Sequence, residues 1–200
     1  MRKYSNLLAI AIFGLYGLSG QAQDFHFGVQ AALSSPTGDL KDMAGSGAIG
    51  GSLLLDWSLA GGHILRPRLD YTHYPDKSLT TTSLTSSTST TIHATYSITS
   101  SGFGLDYLFY PSGKQEGWHL DLGIEEMRYS IKVRGTSTLS SITSSTTDFS
   151  GPDTTKSQLG YGLGIGYDFN QHWSMGMRFN SAKVESMKLD SFNTSIGYRF

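Results

Sequence analysis

Apolar and polar residues alternate with a period of two through the last ten residues of the chain, 191–200. One side of this stretch carries Phe192, Thr194, Ile196, Tyr198 and Phe200. Because successive side chains of a strand point to opposite faces, the pattern predicts a β-strand with one apolar and one polar face.

The same alternation recurs in seven earlier segments, at 25–34, 49–59, 65–72, 102–109, 118–133, 158–169 and 173–180. Short connections at 60–62, 111–117 and 170–172 alternate with mostly longer ones at 35–47, 76–91, 135–156 and 182–190. An even number of strands with short turns at one end and longer loops at the other is typical of membrane barrels. The chain is therefore predicted to form an all-β, eight-stranded antiparallel up-and-down transmembrane β-barrel, with both termini on the short-turn side.

The apolar alternation of the fifth segment changes parity partway along. Its apolar side runs from Trp118 to Ile124, and then continues at Met127 and Tyr129. A slip of one residue is what a β-bulge produces, so we expect a bulge at Glu125 and Glu126.

Residues 1–22 have the pattern of a secretory signal peptide. Arg2 and Lys3 precede an apolar core at 7–18, and Gly20 and Ala22 suit cleavage after Ala22. We therefore expect a mature barrel domain at 23–200. No later apolar run is long enough for a transmembrane helix, so a membrane location requires a closed barrel.

A secreted soluble barrel has the same alternation with its apolar face inward. Three features favour an apolar face outward: arginines on polar strand faces with lysines mostly in loops, glycines along the polar face at 160–166, and aromatic residues at the short-turn ends. These aromatics are Phe25, Trp57, Phe109, Trp118, Tyr167, Phe169, Trp173, Tyr198 and Phe200. The polar face would then line a narrow lumen.

The signal peptide, the alternating strands, the aromatic girdle and the closing Phe200 together resemble the small outer-membrane β-barrel superfamily, of the OmpA/OmpX kind. The resemblance implies an outer-membrane location, contact with outer-membrane lipid, and recognition of the closing strand by the barrel-assembly machinery. Tyr198 and Phe200 are the residues that would carry this assembly signal. The resemblance does not specify an activity, because fold alone does not set function.

Charged residues on the predicted inner face form a candidate lumen network. Its members are Asp56, Arg66, Arg68, Asp70, Asp106, Asp121, Arg128, Asp168, Arg178 and Arg199, with Glu125 or Glu126 depending on the bulge. Buried charges persist when they are paired, and the signs nearly balance, so we favour a paired plug in a structural or surface-interaction role. The alternative is a narrow porin-like channel or carrier for small solutes.

An enzyme is the least favoured class. Lipid A deacylase barrels carry a His-x-Ser-Asn element, whereas the nearest stretch here, 178–181, has no histidine to activate its serine. His172 lies in a turn on the wrong side of the membrane for chemistry on the outer leaflet. No histidine pair has the spacing of metal ligands, so we expect neither metal nor cofactor.

The Ser/Thr-rich loops at 76–91 and 135–156 are the remaining functional lead. Threonine favours strands, so we expect protruding hairpins that either bind an extracellular ligand or form a solvated rim. The formal net charge of −1 and the lack of a basic run give no case for nucleic acid, and we expect a monomer.

Overall fold

The computed structural model describes residues 24–45, 47–85, 88–141, 144–151, 153–184 and 187–200, so the predicted signal peptide lies outside the described residues. The strands are β1 (Phe25–Thr37), β2 (Ala48–Leu59), β3 (His63–Thr85), β4 (Thr88–Phe109), β5 (Gly117–Ser140), β6 (Ser144–Ser150), β7 (Thr154–Asp168), β8 (Trp173–Val184) and β9 (Met187–Arg199). One short helix, α1 (Gly38–Ala44), connects β1 to β2. Within the described ranges, no helix has both the length and the hydropathy needed to cross a membrane.

Eight of these strands close into an antiparallel ring in the order β1, β2, β3, β4, β5, β7, β8 and β9. The ring is closed by β9, which pairs with β1 from Gly28↔Arg199 to Thr37↔Asp190. The eight-stranded up-and-down barrel predicted from the alternation is confirmed. The additional strand β6 pairs with β5 and lies outside the ring.

The apolar side of the wall faces outward. Leu53, Ile124 and Leu163 remain 60%, 58% and 56% exposed, although each lies in the middle of a strand. Their inward neighbours are less exposed: Ile124 lies between Gly123 and Glu125, Leu163 between Gly162 and Gly164, and Leu53 between Ser52 and Leu54. A barrel with this polarity requires an apolar solvent around it, as a membrane barrel does.

The predicted bulge at Glu125 and Glu126 is wrong. The register of β5 with both β4 and β7 runs through this point without a shift. Met127 and Tyr129 are buried in the interior, and Arg128 is exposed on the outer surface. The parity of the apolar residues changes because the interior itself changes from polar to apolar at this height, and the strand stays regular.

A register shift does occur on the neighbouring strand, between Tyr74 and Lys77 of β3. Pro75 lies inside this irregularity. Proline cannot donate to the hydrogen-bond ladder and is found at bulges for that reason. The shift marks the level at which β3 leaves the ring, because its last pair with β2 is Ile49↔His73.

Beyond this level, parts of β3, β4, β5 and β6 form a four-stranded extension that we call the protruding sheet. It consists of residues 77–85 of β3, 88–96 of β4, 132–140 of β5, and all of β6. The outermost pairs are Thr85↔Thr88 and Ser140↔Ser144, and Ser89↔Ser140 joins the two hairpins. The Ser/Thr-rich segments at 76–91 and 135–156 thus lie largely in strands.

The connection at 35–47, predicted as a loop, contains α1. Gly45, with φ at 83°, ends the helix and donates its N–H to the Lys41 carbonyl at 3.0 Å. The Asp39 carboxylate accepts the backbone N–H of Lys188 at 2.7 Å, which ties the helix to β9. Leu40 and Ala44 are buried, so the helix lies with its apolar side on the long-loop end of the barrel.

Candidate functional site: the charged lumen

The lower part of the lumen, near the short turns, contains a neutral cluster of two arginines and two aspartates. Asp56 accepts from Arg66 (Nη2–Oδ2, 2.9 Å) and from Arg199 (Nε–Oδ2, 2.8 Å). Arg199 also reaches Asp168, with Nη2–Oδ2 at 3.2 Å. These pairs link β2, β3, β7 and β9 across the interior, so each charge is compensated by a partner on another strand.

A second cluster lies one layer higher and is acidic. Arg68 pairs with Asp70 (Nη1–Oδ2, 2.8 Å), with Asp106 (Nε–Oδ2, 2.9 Å), and with Glu125. The other cation of this cluster is Arg178, which lies 2.9 Å from Asp106 and 2.7 Å from Asp121. Two arginines against four carboxylates leave a formal charge of +2 − 4 = −2 in this layer.

Nine of the ten residues of the predicted charge network lie inside the barrel. The structure places Asp56, Arg66, Arg68, Asp70, Asp106, Asp121, Asp168, Arg178 and Arg199 in ion pairs inside the barrel. Glu125 joins them, whereas Glu126 faces outward. Arg128 is the exception: without the expected bulge, its side chain lies on the outer wall, where it pairs with no lumen carboxylate.

Glycines on the inner face make room for the arginines. A Cβ atom at Gly162 would overlap the guanidinium of Arg178, and one at Gly123 would overlap both that guanidinium and Asp106. Arg178 lies flat against β5 and β7 because these positions have no side chain. The glycine-rich face is therefore part of the charge network.

Apolar side chains occupy the lumen on the short-turn side of the two clusters. Ile64, Leu108 and Tyr110 pack together there and are completely buried. The hydroxyl of Tyr110 donates to Asp168 at 2.7 Å, which joins this apolar layer to the charges above it. His119 packs against the Tyr110 ring, with centroids 4.9 Å apart, and places Nδ1 3.6 Å from Asp168.

A larger apolar cluster fills the opposite end of the lumen, beneath α1. Its buried members are Leu40, Ala44, Ala48, Tyr74, Ile98, Met127, Tyr129 and Leu189. The side chains of α1 lie over this cluster. The charged layers thus lie beneath an apolar layer at the long-loop end, and at the short-turn end they border a smaller apolar cluster and a cavity lined by Arg199.

The free space that remains in the charged layer is small. A cavity of about 70 Å³ lies among Arg68, Asp70, Asp106, Glu125 and Gln30. A volume of this size holds a few water molecules, each of which needs roughly 10–15 Å³. The described side chains leave no wide path along the barrel axis.

Tyr110 and the inward apolar residues of both ends were not singled out by sequence reasoning. Tyr110 has the inward parity of Asp106 and Leu108, which would have identified it as a lumen residue. The sequence pattern did not indicate that Tyr110 is buried, because the residue follows Phe109 directly and precedes Pro111 at a turn.

The aromatic residues predicted at the short-turn end contact one another. Ring centroids lie 5.1 Å apart for Trp118 and Tyr167, and 5.0 Å apart for Trp173 and Tyr198. Tyr198 and Phe200 are 5.2 Å apart, and Phe200 is 67% exposed. Offset and edge-on contacts of this kind are favourable between aromatic rings.

A closed ring of eight strands, with an apolar outer wall and a charged interior, defines an integral membrane β-barrel. The chain belongs to the family described as "Outer membrane protein beta-barrel domain", which it matches over residues 6–200. It is accordingly an outer-membrane protein.

Solved structures with the same fold are distant in sequence. The N-terminal β-barrel domain of Pseudomonas aeruginosa OprF has a TM-score of 0.52 at 14% identity, covering 91% of this chain and 100% of that one. Ail, the attachment invasion locus protein of Yersinia pestis, has a TM-score of 0.50 at 16% identity, covering 90% of this chain and 100% of Ail. Among curated proteins, none matches this chain closely enough to count as a relative.

Proposed function

We propose that the barrel is a closed anchor that presents the protruding sheet at the cell surface for contact with an extracellular ligand. The observation that carries this proposal is the contrast between the two parts of the molecule. The lumen is filled by paired charges beneath an apolar layer, whereas four strands continue beyond the ring. Binding residues commonly lie on such exposed segments above a rigid scaffold.

A surface role has a precedent in this fold. Ail is an attachment invasion locus protein, and it has been solved in complex with sucrose octasulfate, a heparin analogue. The low identity means that this ligand cannot be transferred residue by residue. It supports only the general role of a small barrel as a surface-contact protein.

Trimming the protruding sheet tests the proposal. Replacing 80–93 and 136–148 each by an Asn-Gly turn removes most of the sheet. The two residues that flank each deletion are paired with each other across strands, so the ring register stays intact. Cells that carry the full protein are expected to bind host or neighbouring cells more strongly than cells that carry the trimmed one.

Folding must be established before binding is compared. The trimmed protein should retain heat-modifiable migration on a gel and its place in outer-membrane fractions, because the deletions lie outside the ring. Equal cell binding by folded full-length and folded trimmed barrels would count against the surface-interaction role.

The second candidate function is a narrow channel, and the acidic layer with its charge of +2 − 4 = −2 is the observation in its favour. Such a layer would select cations. We expect pure protein in a planar bilayer to show no discrete conductance steps, since the lumen charges are paired and an apolar layer under α1 closes the long-loop end. Reproducible cation-selective steps would instead support the channel.

The closing strand is proposed to act in assembly. The backbone N–H of Phe200 donates to the Phe27 carbonyl at 2.8 Å, but most of the Phe200 ring is free of protein contacts. Deleting Phe200 is therefore expected to reduce assembled protein in outer-membrane fractions with little effect on a barrel refolded in detergent. Phe25→Ala is a matched control, because Phe25 is also an exposed aromatic of this girdle, at 54%. Unchanged outer-membrane levels after the deletion would contradict the assembly role.

A further inference from the structure

The outward side of the β8–β9 ladder changes its chemistry toward the long-loop end. Its last three outward rungs, each formed by two residues directly opposite in the register, are aromatic, polar and cationic in that order: Phe179↔Phe192, Ser181↔Asp190 and Lys183↔Lys188. The aromatic rings lie 5.0 Å apart between centroids, and the Ser181 hydroxyl donates to Asp190 at 2.7 Å. The first two rungs are therefore stabilised by contacts between their own side chains.

The third rung, which we call the lysine rung, places two positive charges opposite each other. Ala182 and Leu189, the neighbours of the two lysines along the strands, are 5% and 4% exposed and lie on the inner side. Lys183 and Lys188 therefore point outward, and both are exposed. Side chains directly opposite in an antiparallel ladder have Cβ atoms about 4.5–5.5 Å apart, where like charges destabilise the pairing. An anion placed against this rung would therefore stabilise it.

The protein itself supplies little compensation for the lysine rung. Within the ranges that the structure describes, no carboxylate forms an ion pair with either lysine. Asp190, one rung below, accepts a serine hydroxyl, and Asp39 accepts the backbone N–H of Lys188. The ladder continues past the lysines to the pair Val184↔Met187, so the backbone keeps the two charges opposite each other.

The lysine rung lies at the far boundary of the apolar band. The same ladder begins at the short-turn end with Trp173 and Tyr198, whose rings are 5.0 Å apart in the aromatic girdle. Lys183 follows Trp173 by 183 − 173 = 10 residues, which is about 34 Å of strand. At a tilt of about 35–45°, this length spans about 24–28 Å of height, close to the apolar band of about 25 Å of an outer-membrane barrel. Both lysines are therefore level with the lipid headgroups on the side of the longer, extracellular loops.

We propose that Lys183 and Lys188 together bind the anionic phosphate group of a lipid in the outer leaflet. Phosphate oxygens accept charge-assisted hydrogen bonds, and each ammonium group has three donors, so one phosphate can bridge the pair. The acyl chains of the same lipid would pack against the aromatic rung two levels below, where Phe192 is 53% exposed. Anionic lipid headgroups attract lysines that lie near the membrane surface.

Replacing both lysines by glutamine should have different effects in two kinds of membrane. Lys183→Gln with Lys188→Gln is compared with the parent barrel by urea unfolding, in phosphatidylcholine vesicles and in vesicles that also contain phosphatidic acid. In phosphatidylcholine, whose headgroup carries no net charge, the variant should unfold at the same or a higher urea concentration, because the repulsion between the lysines is gone. With phosphatidic acid, it should unfold at a lower urea concentration than the parent, because the bridging anion stabilises only the parent. A lower midpoint in both membranes, or in neither, would overturn the proposal.

Lys132→Gln with Arg134→Gln is the matched control. These two cations also face outward, but they lie on the part of β5 that belongs to the protruding sheet, beyond the ring. Their removal subtracts the same charge, so the urea midpoint should change by the same amount in both membranes. If it fell in phosphatidic acid as far as it does for the lysine rung, a general attraction between charges would be responsible and the proposal would fail.

Native mass spectrometry in a neutral detergent distinguishes a lipid from a free anion. Phosphatidic acid should bind the parent barrel about tenfold more tightly than it binds Lys183→Gln with Lys188→Gln, because charge-assisted contacts are lost in the variant. Inorganic phosphate at the same concentration should not displace the lipid, since burial of the acyl chains contributes to its binding. Displacement by inorganic phosphate would refute a lipid as the ligand.

Glu185→Gln examines the turn between β8 and β9, because Glu185 lies outside the described residues. This variant should leave the urea midpoint in phosphatidylcholine unchanged. A lower midpoint would show that the Glu185 carboxylate already neutralises the lysine rung, and the proposed lipid would then not be its partner.

Discussion

Replacing Arg68 by Gln is expected to lower the free energy of unfolding of the barrel by about 3–5 kcal/mol, the usual cost of removing one partner of a buried ion pair. Arg68 is 7% exposed and pairs with Asp70, Asp106 and Glu125. Without it, Arg178 would be the remaining cation among the four carboxylates of this layer. Urea unfolding in lipid vesicles, followed by tryptophan fluorescence, measures the change.

Arg128→Gln is the matched control for this prediction. Arg128 lies on β5 with its side chain on the outer wall, near the long-loop rim of the ring, where a charge on the lipid side costs little, so the same loss of charge should alter stability by no more than about 1 kcal/mol. A similar loss in both variants would show that the effect is general to the arginines of this barrel. The paired lumen would then not be what stabilises it.

Gly162→Ala is expected to destabilise the barrel by about 1–3 kcal/mol, the usual cost of overpacking. The added methyl group would occupy the space of the Arg178 guanidinium, which is held by Asp106 and Asp121 and cannot move without breaking those pairs. The same urea titration measures this change. Gly176→Ala is the control, because the nearest atom to its added Cβ is the Ser195 hydroxyl oxygen at 3.3 Å.

A double-mutant cycle identifies the cause. If the clash with Arg178 is responsible, Gly162→Ala should cost much less in an Arg178→Ala background, since directly coupled residues are not additive. An undiminished cost in that background would point instead to the backbone of β7. An equal destabilisation by Gly176→Ala would indicate that any inner-face glycine is required.

The location of the strands and the orientation of the wall were predictable because alternation with a period of two is a local property of the chain. The segment at 158–169 shows this well: its regular alternation placed Leu163 outward and Gly162 inward, as the structure does. Arginine on inner positions also predicted ion pairs, since an unpaired charge in a narrow lumen is too costly.

The same reasoning failed at Met127 because it assumed an interior of uniform polarity. The inward-facing Met127 was interpreted as an outward-facing residue that follows a bulge. Arg128 was consequently placed in the lumen. The interior is apolar at that height because α1 and residues from several other strands meet there. The residues of β5 alone do not indicate that the interior is apolar at this height.

The sequence by itself determined the eight-stranded barrel, its outer-membrane location and the charged character of its inner face. Only the tertiary structure decided which carboxylate pairs with which arginine, since partners such as Arg178 and Asp121 lie 57 residues apart and meet over the glycines of the strand between them. It also decided that α1 covers one end of the lumen and that four strands continue above it as a protruding sheet. Both depend on contacts between distant segments, which the local periodicity of a strand does not encode.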